Sequence, residues 1–452
     1  MRAGLRSALL LMAGLSSLSP LAAPSAAAGQ PYGIASRIVA HPYLRMPARP
    51  DGPIPKLLSQ TGAFKDTAHM VPSDELIPYD LIVPFWSDGA QKLRWIAIPA
   101  GKIEFSPTGE WVFPAGTVFV KTFELPIDAR DPKLKRRLET RLLMVQGGRS
   151  VYGVVYKWRP DLSDADLLPD SLTESVPIAN AAGETHSQSW YYPSRKDCIT
   201  CHSKLSGGVL GVKSRQMNHD FAYPSGVSDN ELREWNHLGL FATPLREADI
   251  KDLPRLAAPG DESRSVEDRA RSYLDANCSQ CHRPGGTVAG FDARYDTPLD
   301  RQELVNGPVL IDQGIDRPRI ISPHDIWRSI AYMRIDTVGD IRMPPIDRET
   351  IDEHGVALMR EWIESMPGRA VLAPPVIEPA GGTFDKPVEV RLTDASADAD
   401  IRYTLDGSVP GPSDARYDKP LVLSGPAVVR ARAFKDGFTR SITAQEVFVV
   451  AQ

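Results

Sequence analysis

Short runs in which apolar and polar residues alternate fill much of the first part of the chain. Runs at 79–101, 109–125, 138–148 and 150–160 are bounded by Gly, Pro and Asp. A period of two residues is typical of strands with one buried face. The pattern therefore predicts a β-rich N-terminal domain over residues 29–190, built as a sandwich or a partial barrel.

A helical period replaces the alternation further along the chain. Ser265 is suited to cap a helix, and Ala270, Tyr273 and Leu274 then recur at helical spacing up to Cys278. A second apolar stripe runs through residues 353–366 and ends at a Pro-Gly pair. The two stripes predict helices at either end of a domain spanning residues 256–368.

The last part of the chain returns to alternation after a Pro- and Gly-rich linker. Residues 369–452 contain five short alternating runs with turn signals between them, including Asp406-Gly407. This pattern predicts an Ig-like or FN3-like antiparallel β-sandwich, which we interpret as an accessory module.

The first residues are typical of an export signal. Arg2 and Arg6 flank a short apolar stretch, and a small-residue run ends at Ala28. We interpret residues 1–28 as a cleaved signal peptide, which predicts an exported, periplasmic or cell-surface protein. No apolar run reaches the roughly 20 residues needed to span a bilayer.

Composition narrows the classes of partner. The 452 residues carry a formal net charge of −5. This mild acidic excess argues against general binding to nucleic acid.

The chain has only four cysteines, and they form two Cys-x-x-Cys-His segments at 198–202 and 278–282. A four-cysteine zinc site would leave both histidines without a role. Thioredoxin-like pairs would need a βαβ setting, which neither segment has. Two structural disulfides are a further alternative. Covalent haem attachment uses all three residue types, since each thiol bonds a vinyl group and the histidine binds iron.

The motifs therefore predict two covalently attached haem c groups. The first haem segment, 191–255, has an abbreviated cytochrome c-like fold because Pro193 prevents a long leading helix. The second haem occupies the helical domain at 256–368. The predicted fold class is multidomain α+β, with an α-helical cytochrome c-like dihaem region between two β domains. The predicted haem-binding residues are Cys198, Cys201, His202, Cys278, Cys281 and His282.

Methionine is the expected distal ligand of the second iron. Met343 lies in the Pro-rich segment "RMPP", and a stiff extended loop suits a weak Fe–S bond. Met333 is the competitor, in a helix-like stretch. For the first iron several candidates stay open: Met217, His219, His237, His186 and a residue from the N-terminal domain. An open coordination position is a further alternative.

Residues from about 31 to 366 resemble a bacterial family of exported dihaem c-type cytochromes. The similar segments, in order, are "PYDLIVPFWSDGAQKLRW", "WVFPAGTVFVKTF", "YPSRKDCITCH", "LGVKSRQMN", "ANCSQCHRPGG" and "RMPP". The resemblance implies haem binding at the residues named above, with Met343 as a distal ligand, and electron transfer. Leucine is associated with the family where this chain has Met217, which weakens Met217 as a ligand.

Residues 374–450 resemble the small β-sandwich at the C-terminus of chitobiase and β-hexosaminidase enzymes. The similarity lies in "PAGGTF", "IRYTLDGSVP" and "VVRARAF". No Asp/Glu pair has a recognisable glycosidase setting, so the resemblance implies no glycosidase activity.

Together these features predict a protein that carries electrons between periplasmic partners, a dehydrogenase or another cytochrome. Two alternatives stay open. One is a peroxidase-like oxidoreductase with an open or displaceable ligand at the first haem. The other is a carbohydrate- or surface-binding protein that contacts polysaccharide through its C-terminal module. Whether the chain is an enzyme stays open, with non-enzymatic electron transfer favoured.

Overall fold

The computed structural model describes residues 31–451. The predicted signal peptide, residues 1–28, lies outside these residues. Ten strands precede the first motif: β1 Phe64–Asp66, β2 Val71–Pro72, β3 Leu76–Tyr79, β4 Gln91–Ala97, β5 Val118–Pro126, β6 Lys135–Gly147, β7 Ser150–Trp158, β8 Ala165–Leu167, β9 Leu172–Ala179 and β10 Thr185–Tyr192.

Six of these strands form one antiparallel sheet in the order β3-β4-β5-β6-β7-β8. One face packs on residues from segment 40–76, with Val120 and Leu142 at the centre. The other face packs on the segment after the first motif, through residues such as Phe119 and Trp235. Both faces of the sheet are therefore covered, and the β-rich character predicted for this region is confirmed.

Short helices and strands follow: α1 Arg195–Cys201, α2 Ser214–Met217, β11 Asp220–Ala222, β12 Ser228–Asn230, α3 Glu231–His237, α4 Glu247–Ile250, α5 Val266–Cys278, α6 Ile330–Ile335 and α7 Glu353–Ser365. Helices α5 and α7 are the two that the sequence predicts. They pack together where Gly355 lies against the Tyr273 ring, so closely that an added Cβ would come within 2.5 Å of it.

The predicted fold class is wrong in its middle part. The described chain is mostly β, and an α-helical cytochrome c-like region does not form within residues 191–368. Only α5 and α7 there exceed seven residues. Between α5 and α6 the chain is loops and 3₁₀ turns, because Pro and Gly recur and break any helix.

The C-terminal β-sandwich is confirmed. Its two sheets have the orders β13-β15-β18 and β14-β20-β19-β16-β17. Phe448 and Val390 lie in the core between them. The strands are β13 Val376–Glu378, β14 Gly382–Phe384, β15 Val388–Thr393, β16 Asp400–Thr404, β17 Ala415–Arg416, β18 Leu421–Leu423, β19 Ala427–Phe434 and β20 Ala444–Val450.

Candidate functional site

The first Cys-x-x-Cys-His motif lies on α1, a helix with its own capping box. The Ser194 hydroxyl accepts from the Asp197 backbone N–H, and the Asp197 carboxylate accepts from the Ser194 N–H at 2.8 Å. Helix α1 packs on strand β7, where Gly153 leaves room for the Cys198 thiol. A Cβ at position 153 would lie 2.9 Å from the Cys198 sulfur. The sheet thus holds the first motif.

His202 follows α1 and lies in a fixed tautomer. Its Nδ1–H donates to the Gly208 carbonyl at 2.8 Å, which leaves Nε2 as the unprotonated nitrogen. Burial, with a smaller contribution from Lys121, lowers the pKa of His202 to about 4. The imidazole is therefore neutral at pH 7 and offers a lone pair at Nε2.

The second motif begins at the last residue of α5, a helix of thirteen residues capped by Ser265. His282 donates its backbone N–H to the Cys278 carbonyl at 2.9 Å. Its ring stacks on Phe291, with centroids 4.1 Å apart. Burial, with a smaller contribution from Arg334, lowers the pKa of His282 to about 4, so this imidazole is also neutral.

The two motifs meet at one thiol from each. A hydrogen bond from the Cys201 thiol is the main cause that lowers the pKa of Cys281 to about 7. The same contact and burial raise the pKa of Cys201. All four cysteines are free thiols. Cys201 and Cys281 thus form a thiol–thiolate pair near neutral pH, which is typical of reactive cysteines.

Arg283, directly after the second motif, fastens the two segments together. Its side chain is 7% exposed and pairs with Glu110 at 2.9 Å. It also donates to the Leu205 carbonyl at 3.2 Å, just beyond the first motif. A buried arginine with several acceptors resists displacement because its charge would otherwise lose its partners.

A cavity of about 170 Å³ lies beside the first motif. Cys198, Cys201 and His202 line one side of it, and strands β4 to β7 line the opposite side. The sheet contributes buried or half-buried cations, which composition alone did not bring to notice: Lys92, Arg94, Lys121 and Arg141. The signal in the sequence is that charged residues of β4, β5 and β6 alternate with buried apolar residues such as Trp95, Val120 and Leu142.

The methionine candidates occupy different surroundings. Met217 is fully buried in the core beneath the sheet. Met343 lies on the loop after α6, where its N–H donates to the Arg334 carbonyl at 2.9 Å and its carbonyl accepts from Arg348 at 2.7 Å. The same loop reaches the cavity, where Asp347 pairs with Arg141 at 2.9 Å. The ligand roles of Met217 and Met343 stay predictions.

The histidine candidates for the first site lie in three separate places. His219 pairs with Glu231 at 3.0 Å, and His237 stacks on Tyr32 with centroids 3.6 Å apart. His186 is exposed on β10. None of the three lines the cavity beside His202.

The prediction of two haem c groups is wrong. Within residues 31–451, no group of three or more His, Cys, Asp or Glu side chains is arranged to hold a metal ion. The first motif lies on a seven-residue helix against a β-sheet, and α5 and α7 are the only described helices within residues 191–368 that are longer.

Comparison with known proteins identifies the C-terminal module. Residues 379–445 match the family model of the chitobiase/β-hexosaminidase C-terminal domain, which confirms that prediction. No curated protein matches the chain. In the part of the chain described, from residue 31 to residue 451, no helix is long and apolar enough to cross a bilayer.

Proposed function

We propose that this chain is an exported electron-transfer protein whose redox centre is the Cys201–Cys281 pair. The observation that carries the proposal is the meeting of two Cys-x-x-Cys-His motifs that are far apart in sequence. Both sulfurs belong to half-buried residues, so a partner can approach them. The export signal predicted at 1–28 would place the pair where disulfides form and persist.

The chemistry follows from the different acidities of the two thiols. The Cys281 thiolate attacks a disulfide of the partner, and one partner sulfur leaves as a thiolate. Cys201 then loses its proton, attacks the Cys281 sulfur and releases the second partner thiolate. The protein ends with a Cys201–Cys281 disulfide, and the partner has gained two electrons. The reverse sequence would reduce this protein again.

Several neighbouring groups support this pairing. Arg283 lowers the pKa of Cys281 in addition to the Cys201 hydrogen bond. Burial raises the pKa of Cys278 to about 12, so that thiol stays protonated. Burial also raises the pKa of Cys198. Of the four sulfurs, only Cys281 is acidic enough to react at neutral pH.

Thiol mapping of the full exported chain tests the proposal. After mild oxidation we expect one disulfide, between Cys201 and Cys281, and a two-electron redox titration. Cys201→Ala and Cys281→Ala should each abolish that titration, whereas Cys198→Ala serves as the matched control and should retain it. The proposal would be overturned by equal loss in all three variants. Sulfurs that stay blocked after reduction, in a protein heavier than its polypeptide, would overturn it as well, because a covalently attached group would then occupy them.

A second candidate function is contact with polysaccharide through the C-terminal module, and the family match favours it. Retention of the full chain on chitin, released by soluble chitin oligosaccharides, would support this candidate. Passage through chitin at the rate of an inert protein would contradict it. The peroxidase-like alternative stays a prediction.

A further inference from the structure

The face of the sheet that looks into the cavity carries an unusual row of like charges. The antiparallel register places Arg94 opposite Lys121, and Lys121 opposite Arg141, on three adjacent strands. Like charges directly opposite one another destabilise a sheet. The arrangement therefore needs compensation from groups outside the row.

Protein carboxylates compensate the two ends of the row. Arg94 pairs with Asp80, and Arg141 pairs with Glu139 at 2.6 Å and with Asp347 at 2.9 Å. These contacts account for the two arginines. They do not extend to Lys121, in the middle of the row.

Lys121, at the centre, has a different environment. Within residues 31–451 no carboxylate forms an ion pair with Lys121 or with its diagonal neighbour Lys92. Lys121 lies 5.0 Å from the Phe123 ring centroid, and Lys92 donates to the Phe85 carbonyl at 2.8 Å. Burial, then Arg141 and Arg94, lower the pKa of Lys121 to about 8, so it is still mostly charged at pH 7.

The remaining acidic groups of the cavity already have partners. Asp275 pairs with Lys213 at 2.6 Å, and Glu110 pairs with Arg283. Asp197 accepts from Tyr191 at 2.7 Å and from the Ser194 N–H. A half-buried cation without a counter-charge is costly, so an anion that enters the cavity would be stabilised by Lys121. Burial lowers the pKa of Lys92 well below its usual value, and an anion beside Lys92 would raise that pKa again and favour its charged form.

The cavity's size and its apolar walls define the rest of the ligand. Phe119 and Leu143 lie on the same face of the sheet as the charged row, two residues along their strands from Lys121 and Arg141. The volume of about 170 Å³ is close to that of an engineered cavity, about 150 Å³, which binds benzene. A six-membered ring or a short aliphatic chain fits this space.

We propose that this cavity binds a small apolar carboxylate, its charge held by Lys121 and Lys92 and its apolar part against Phe119 and Leu143. The proposal does not rest on the thiol chemistry proposed above, because the charged groups that would hold the ligand belong to the sheet. It lies beside Cys198 and Cys201, so a bound carboxylate is positioned at the wall that carries the first motif.

Calorimetric titration of the full chain with benzoate and with its neutral analogue benzamide tests the site. We expect benzoate to bind at least tenfold more tightly than benzamide at pH 7. Lys121→Met should weaken benzoate at least tenfold and leave benzamide unchanged. Lys133→Met, on an exposed loop, is the matched control and should change neither.

The stability of Lys121→Met separates binding from a structural role. Because the substitution removes repulsion from the row, the ligand-free variant should unfold at a higher denaturant concentration than the wild-type chain. Equal affinity of the wild-type chain for benzoate and benzamide would overturn the proposal, whether or not the variant folds. Unchanged benzoate affinity in Lys121→Met would overturn it too.

Discussion

The two Cys-x-x-Cys-His motifs have the same sequence pattern but are held in place by different means. Helix α5 delivers the second motif and has its own core, where Leu274 packs with Trp362 of α7. Helix α1 delivers the first motif and has no fully buried residue of its own. A capping box and the groove at Gly153 hold it instead. One motif thus depends on local periodicity, and the other depends on a sheet formed earlier in the chain.

The largest expected effect is a loss of stability confined to the α5–α7 core, which holds the second motif. Trp362 is 2% exposed at the centre of the α5–α7 core. Trp362→Ala should destabilise the protein by about 3–5 kcal/mol, because it leaves a large cavity. Hydrogen exchange should show early opening of α5 and α7 while β5 and β6 stay protected. If β5 and β6 lost protection equally, the two regions would not be independent.

The next largest effect is confined to the contact between α1 and the sheet, which holds the first motif. Gly153→Val should cost about 1–3 kcal/mol, since the added carbons overlap the Cys198 thiol. Cys198 should then react faster with an alkylating reagent, whereas Cys278 should not. Gly260→Val is the matched control, because nothing lies within 4 Å of its Cβ position. Equal reactivity of Cys198 in the two variants would contradict the packing argument.

This contrast also explains what the sequence could and could not predict. The period of 3.6 residues located α5 and α7, and Ser265 located the start of α5. The same reasoning extended the helical domain across residues 279–329, where Pro and Gly instead produce loops. The alternation of apolar and polar residues located the N-terminal sheet, and the same pattern near the C-terminus located the sandwich.

Contacts between distant segments could not be predicted from local sequence patterns. The row formed by Arg94, Lys121 and Arg141 exists only because of the strand register. The meeting of Cys201 with Cys281 depends on how α1 and α5 pack around Arg283 and Glu110. Neither contact has a signal within a window of ten residues, so spacing alone suggested two separate sites.

A third effect concerns the contact between Cys201 and Cys281, where the two motifs meet. The Cys201 thiol lowers the pKa of Cys281 to about 7, so about half of Cys281 is ionised at pH 7. In Cys201→Ala the pKa should rise towards its ordinary value of about 8.5, which leaves only about 3% ionised. Alkylation of Cys281 at pH 7 should slow by about tenfold. An unchanged rate would mean that the two thiols do not interact.

The smallest effect compares the caps of the two helices. Ser194 caps α1 and Ser265 caps α5, each by accepting a backbone N–H at the third helical position. Replacing either with Ala should cost about 1 kcal/mol. In Ser194→Ala the loss should appear as local fraying, because seven residues without a buried side chain have little else to hold them. Cys198 alkylation should therefore quicken by about fivefold. In Ser265→Ala the α5–α7 core should keep Cys278 protected, and the cost should appear only in global unfolding. Equal exposure of Cys198 and Cys278 in their respective variants would show that both helices depend on their caps to the same degree, against the contrast drawn from their packing.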